Sequence, residues 1–319
     1  MTSLTADQIT SHTLRQGSTE LTVLSLGAVV QSWTIDGQPV ILGYADLADY
    51  ITNPSAMGML IGRVANRITD AQITFDGQSY DLPANNGPHC IHGGPGGFGW
   101  RNWTLDPVSD REVLLRFVSP DGDQGFPGRV EVEARLWLDD WTLHYDITAT
   151  ADRRTPINMA QHLYFNLEGA GTVLDHVLSI DADRYTPNKA DLTPWGRIEP
   201  VAGTRFDFRT PRTLGDADPD RIGHDASLIL NAGTPAATVT APNGLELTLT
   251  TDRPCVQLYT SGTLGRHGTP LPGPAHGPYA ALCLEAQDYP DALTHGFPSI
   301  LHGPDAPYRQ RTSIRIAPK

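Results

Sequence analysis

Apolar and polar side chains alternate one for one along much of this chain. Val130, Val132, Ala134, Leu136 and Leu138 are separated by Glu131, Glu133, Arg135 and Trp137. After Asp139-Asp140, Trp141, Leu143, Tyr145 and Ile147 are separated by Thr142, His144, Asp146 and Thr148. A period of two predicts strands, and this pair predicts a hairpin with one buried and one more polar face. Turn pairs recur at Asp36-Gly37, Asp76-Gly77, Asp121-Gly122 and Asn243-Gly244, each flanked by strand-like sequence. Residues 245–251 and 311–316 read as further strands. Helical spacing hardly appears, and only 46–50 suggests a single turn. Counts of 31 glycines and 26 prolines fit a chain of many turns. The loop 265–278, with Pro270, Pro272, Pro274 and Pro278, interrupts strands without separating domains. No linker or internal repeat is visible. The expectation is an all-β fold, one large antiparallel sandwich spanning 1–319.

Charge narrows the partners. A net charge of −13 over 319 residues lacks the basic footprint of a nucleic-acid or anionic-membrane binder. The three cysteines, Cys90, Cys255 and Cys283, form no disulfide framework and fit a reducing compartment. Residues 1–16 are polar and carry no apolar signal-like region, and no run reaches transmembrane length. A cytoplasmic protein is expected, without nucleic-acid or membrane partners.

Several short segments carry candidate chemistry. Gly62-Arg63-Val64-Ala65-Asn66-Arg67-Ile68 holds two arginines and no acid. Read as a strand, it puts Arg63 and Arg67 on one face and Asn66 on the other, with forked donors for an oxygen-rich ligand. His162 lies among Asn158, Gln161, Tyr164 and Asn166, and a strand would place Ala160, His162 and Tyr164 on one face. Such a histidine is either a general acid or a hydrogen-bonded core residue. Glu285 follows the apolar run 280–284. Burial would raise its pKa and make it a better base, and a salt bridge at a sheet edge is the alternative. Asp225 enters a strand and could accept hydroxyl protons of a ligand or cap a turn. His89-Cys90-Ile91-His92 looks like metal ligands, but no second Cys/His pair stands at zinc-site spacing, so no metal is expected. In His92-Gly93-Gly94 the glycines let the imidazole approach a ligand. Residues 94–99 match G-x-G-x-x-G, yet Pro95 interrupts the match and no helix-forming run follows, which excludes a dinucleotide loop. Phe98 or Trp100 is left as an apolar platform, with core packing the alternative for each.

These segments, in this order, resemble the aldose 1-epimerases, or galactose mutarotases. The arginine segment 62–68 is similar to that family's arginine motif, and 86–98 to its "NG…HGG…GF" motif. Residues 158–167 resemble its histidine motif, and 203–209 its "GTxFDFR" segment. Residues 257–260 and 284–291 resemble its last two motifs. The chain departs from the usual pattern at Trp195 and Arg197, at Ala226 after Asp225, and at Ser261, where glycine is usual.

The resemblance implies a large antiparallel β-supersandwich of the galactose mutarotase type. It implies His162 as acid and Glu285 as base, with Asn66, Arg67, His92, Tyr164, Asp225 and Gln257 holding a monosaccharide. The reaction would exchange α and β anomers by opening and reclosing the ring, which moves only protons and calls for no cofactor. A monomer or homodimer is expected. Three alternatives stay open. One is a hexose-6-phosphate epimerase, with Arg197 or Arg266 on the phosphate. Another is a non-catalytic sugar-binding module. The last is a glycosidase using Asp225 and Glu285 as its carboxyl pair.

Overall fold

The structure, a computed structural model, describes residues 4–319. Residues 1–3 of the polar N-terminal stretch lie outside the described residues. Strands dominate, and the α-helices among the described residues are single turns at Asp49–Thr52, Leu214–Ala217 and Ala292–His295. The turn expected at 46–50 is thus present but shifted toward the C-terminus.

Three antiparallel sheets build an all-β sandwich. The largest has nine strands, in the order Thr104–Ser109, Glu112–Ser119, Val130–Asp139, Thr142–Ala151, Tyr308–Pro318, Leu245–Thr251, Ala237–Thr240, Val177–Ile180 and Arg212–Thr213. A five-stranded sheet runs Glu199–Pro200, Ala182–Thr186, Asp225–Leu230, Cys255–Tyr259, Cys283–Gln287. A four-stranded sheet holds Ser11–Gln16, Thr19–Leu24, Val30–Ile35 and Gln38–Pro39. One core cluster draws on all three. It includes Leu21 and Trp33 from the first strands, Leu136, Tyr145 and Ile314 from the large sheet, and Leu228, Val256 and Leu284 from the five-stranded one.

The clearest alternation in the sequence gives the clearest hairpin. Val130–Asp139 pairs with Thr142–Ala151 through a two-residue turn at Asp140-Trp141. Leu143, Tyr145 and Ile147 are buried, as their spacing predicts. Asp36-Gly37 and Asp76-Gly77 both take left-handed backbone angles and close tight hairpins. Asn243-Gly244 also joins paired strands. Asp121-Gly122 does not, because it leads into a short helical turn at Asp123–Gly125.

The arginine segment departs from the expectation. Only Arg67–Ile68 is strand, and Asn66 sits at φ 65°, in the left-handed region that asparagine tolerates. That twist breaks the alternation, so Arg63 and Arg67 point to different places. Arg63 is only 1% exposed. Its Nη1 donates to Pro127 O, Gly128 O and Thr155 Oγ1 at 2.9, 3.0 and 3.2 Å, and its Nη2 to Ser119 Oγ at 2.5 Å. Burial holds its pKa down, to about 10, while nearby Asp123, Asp121 and Asp152 oppose the fall. Arg63 therefore ties the loop at 127–128 to the strands behind it and holds no ligand.

This division is testable. Arg63→Leu strands four buried acceptors, and such losses cost about 3 kcal/mol or more. Urea unfolding should show that loss for Arg63→Leu, and near-normal stability for Arg67→Leu.

Candidate active site

Alternation on the five-stranded sheet separates core from chemistry. Ala226 and Leu228, Val256 and Leu258, and Leu284 face the main core. Their neighbours Asp225, Gln257, Tyr259 and Glu285 face the other way and line a cavity of about 600 Å³. Register sets them side by side, with Asp225 opposite Tyr259 and Gln257 opposite Glu285. The Gln257 amide donates to Asp225 Oδ1 at 2.5 Å. Glu285 stands mid-strand in Cys283–Gln287 and is 2% exposed, so it does not end an apolar strand as the sequence suggested.

His162 reaches this face from a mostly irregular segment, of which only Ala160–Gln161 is strand. That segment is fastened along the Glu285 strand. Gln161 Nε2 donates to Leu284 O at 2.9 Å, and Asn158 Oδ1 accepts from the backbone of Asp288 at 2.9 Å. Backbone bonds join Phe165 and Leu282 in both directions at 2.8 and 2.9 Å. The polar residues around His162 are thus fasteners. They bring His162 Nε2 to 3.6 Å from Glu285 Oε1. The His162 and Tyr164 rings stack, with centroids 5.1 Å apart, and His92 meets His162 edge-on at 5.4 Å.

All eight candidate residues, Asn66, Arg67, His92, His162, Tyr164, Asp225, Gln257 and Glu285, line the one cavity. Asn66 and Arg67 share it, contrary to the expected opposition of their faces. Arg67 Nε donates to Asn86 Oδ1 at 2.9 Å. The His92 backbone is left-handed, at φ 55°, and its Nδ1 accepts from Asn66 N at 3.3 Å. Trp100 lines the cavity and Phe98 is buried in the core, which settles their alternatives.

Burial governs the electrostatics. It pushes the Glu285 carboxyl well above its ordinary range, Asp225 adds to the rise, and Arg67 opposes it. Asp225 is raised by burial against Arg67 and the Gln257 hydrogen bond. Burial pushes His162 down to about 4. His92 is pushed well down too, by burial and then by His162 and Arg67. Glu285 and His162 thus both favour their neutral forms, a state in which the pair holds one proton between them. With that proton on His162, the pair is an imidazolium beside a carboxylate, an acid and a base poised together.

The match to an aldose 1-epimerase family model runs over residues 10–315. The chain belongs to the aldose 1-epimerase family. It is 35% identical to galactose mutarotase of Rattus norvegicus over 318 residues, covering 95% of this chain and 93% of the rat protein. It is 36% identical to the aldose 1-epimerase of Escherichia coli strain K12 over 296 residues, covering 86% of this chain and 84% of that one. A solved aldose epimerase homologue from C. elegans superposes with a TM-score of 0.91 at 28% identity, covering 97% of this chain and 99% of that one.

Within this epimerase, the sequence reading missed two features of the site. Tyr259 lines the cavity, and Cys283 lies beside His162. The spacing Cys283, Glu285, Gln287 was the available signal, hidden because cysteine counts as apolar. Ser261, where glycine is usual, lies at φ 50°. Its hydroxyl donates to Ala281 O at 2.6 Å and accepts from Ala281 N at 3.1 Å, which offsets the strain of that angle.

The His89-Cys90-Ile91-His92 cluster disperses. His89 Nδ1 accepts from Asp70 N at 3.0 Å, and Cys90 packs among Val64 and Ile68. Among the described residues, the one group with metal-compatible spacing is His162, Cys283 and Glu285, all buried. Burial raises both the Cys283 thiol and the Glu285 carboxyl well above their ordinary ranges. Both would have to lose protons to bind a cation, so the donor set fits a metal poorly.

Arg67 opposes the rise of both carboxyls. In Arg67→Met, Glu285 and Asp225 should titrate at higher pH than in the parent protein, as read by carbon NMR of labelled carboxyls. Unchanged titration would show that the Arg67 charge does not reach them.

Proposed function

We propose that the protein is an aldose 1-epimerase that interconverts the α and β anomers of a free monosaccharide, galactose among the candidates, with His162 as acid and Glu285 as base. The observation that carries this reading is the buried His162–Glu285 pair, 3.6 Å apart, both members lining one cavity. The Glu285 carboxylate takes the proton of the C1 hydroxyl. The His162 imidazolium protonates the ring oxygen, and the bond from C1 to that oxygen breaks. The open aldehyde turns about C1–C2 and recloses with its other face presented, the two residues exchanging roles. Asn66, Arg67, His92, Tyr164, Asp225 and Gln257 hold the hydroxyls, and Trp100 offers an apolar wall.

The lining also favours a free over a phosphorylated sugar. Arg67 is the cavity's one arginine or lysine among the described residues, and it faces the Asp225 and Glu285 carboxyls. Arg197 is paired with Glu199 at 2.6 Å, and neither it nor Arg266 lines the cavity. A binding module would have no use for the acid–base pair. The shared core cluster, running from Leu14 to Ile316, supports one domain over 1–319. No helix among the described residues is long and apolar enough to cross a membrane. We read the protein as a cytoplasmic monomer or homodimer without nucleic-acid or membrane partners.

Polarimetry of freshly dissolved anomers, across free and 6-phosphorylated sugars, tests the function. Glu285→Gln should fold normally and lose turnover by about a hundredfold or more. His162→Asn should lower kcat far more than it raises KM, since an acid acts in the transition state. Normal turnover by a folded Glu285→Gln protein would sink the assignment.

The active pair holds one proton, so kcat/KM should trace a bell against pH. It falls at acid pH, when His162 and Glu285 both hold protons, and at alkaline pH, when neither does. Because burial lowers His162 and raises Glu285, the plateau should reach below the ordinary histidine pKa and extend above the ordinary carboxylate one. A profile falling steeply through pH ~6.5, the unperturbed histidine value, would contradict it.

A further inference from the structure

Cys283 is fully buried, two residues before Glu285 on the same strand face. Its Sγ lies 3.6 Å from His162 Nδ1, within hydrogen-bonding range for sulfur. Glu285 Oε1 approaches the opposite ring nitrogen, Nε2, also at 3.6 Å. Tyr164 covers one face of the imidazole and His92 meets it edge-on. The two nitrogens therefore have different partners, one a thiol and one a carboxyl.

We propose that Cys283 is a positioning residue for the epimerase reaction: its sulfur accepts the Nδ1–H of His162, leaving Nε2 as the nitrogen that exchanges the proton with Glu285 and the sugar. This rests on His162 being the acid. A neutral imidazole carries one N–H and one lone pair. For Nε2 to receive the shared proton, the lone pair must lie there and the hydrogen on Nδ1. A buried Nδ1–H without an acceptor would be costly, and the sulfur supplies a weak one.

The choice of a thiol follows from the charges nearby. Asp225 and Glu285 already face this cavity. A third carboxylate at position 283 would stabilise the imidazolium and make it a weaker acid. Burial, helped by Glu285 and Asp225, keeps the Cys283 thiol protonated. It therefore orients the ring without adding charge, and a serine hydroxyl could do the same.

Nitrogen NMR of the intact, histidine-labelled protein tests this, with the His162 signals assigned by their loss in His162→Asn. The parent protein should show the Nδ1–H tautomer at neutral pH. Cys283→Ala should shift His162 toward the Nε2–H form and lower kcat ~10-fold or more with little change in KM, the scale seen when a histidine loses its orienting partner. Cys283→Ser should restore both. An Nε2–H tautomer in the parent protein overturns the proposal, whether or not the alanine variant folds. So does a Cys283→Ala protein with parental tautomer and kcat. Failure of the acid assignment would appear separately, as normal kcat in His162→Asn, and would leave the tautomer result standing.

Discussion

The site depends on keeping a carboxyl out of water on the face of a sheet whose other face is core. A buried carboxylate costs several kcal/mol unless neighbours compensate. Here the compensation is partial by construction. Arg67 opposes the rise at Glu285, but Asp225 adds to it. What results is a pair in which neither member is held firmly charged. A strong ion pair would lock the proton on His162, and a fully apolar wall would lock it on Glu285. The proposed chemistry needs the proton to be movable, and one arginine and one short histidine–carboxyl approach support that.

Much of this architecture could be read from the chain, and the readable parts share a physical cause. Where one strand face meets core and the other meets water, polarity alternates, as in 130–139 and 142–151. The five-stranded sheet is harder to read because both of its faces are buried. In Cys283-Leu284-Glu285-Ala286-Gln287 the core face is leucine and alanine, while the site face begins with a cysteine. Hydrophobicity does not separate the two. Asn66, Arg67, His92, His162, Asp225 and Glu285 stood out by residue type and local context, while Gln257 and the assignment of all eight to one site came from family resemblance; the cavity gathers all of them.

The failures were local. Gly62–Ile68 was read as a strand, but the left-handed Asn66 turns the chain, so one arginine became a buried brace and the other a site residue. The His162 segment has little regular pairing of its own. Its position comes from Asn158, Gln161 and the Phe165 backbone, which bond to a strand more than a hundred residues away. Such fastening leaves no short-range pattern to detect.

That fastening bears on how the enzyme comes into being. Cys283 and His162 are 121 residues apart in sequence, and Arg67 lies still further from Glu285. Hairpins such as 130–151 close short loops and form from local contacts. The His162–Glu285 pair exists only after long loops have closed. On the proposed roles of that pair, the return of turnover during refolding reports completed long-range assembly, which the contacts of a single local hairpin do not.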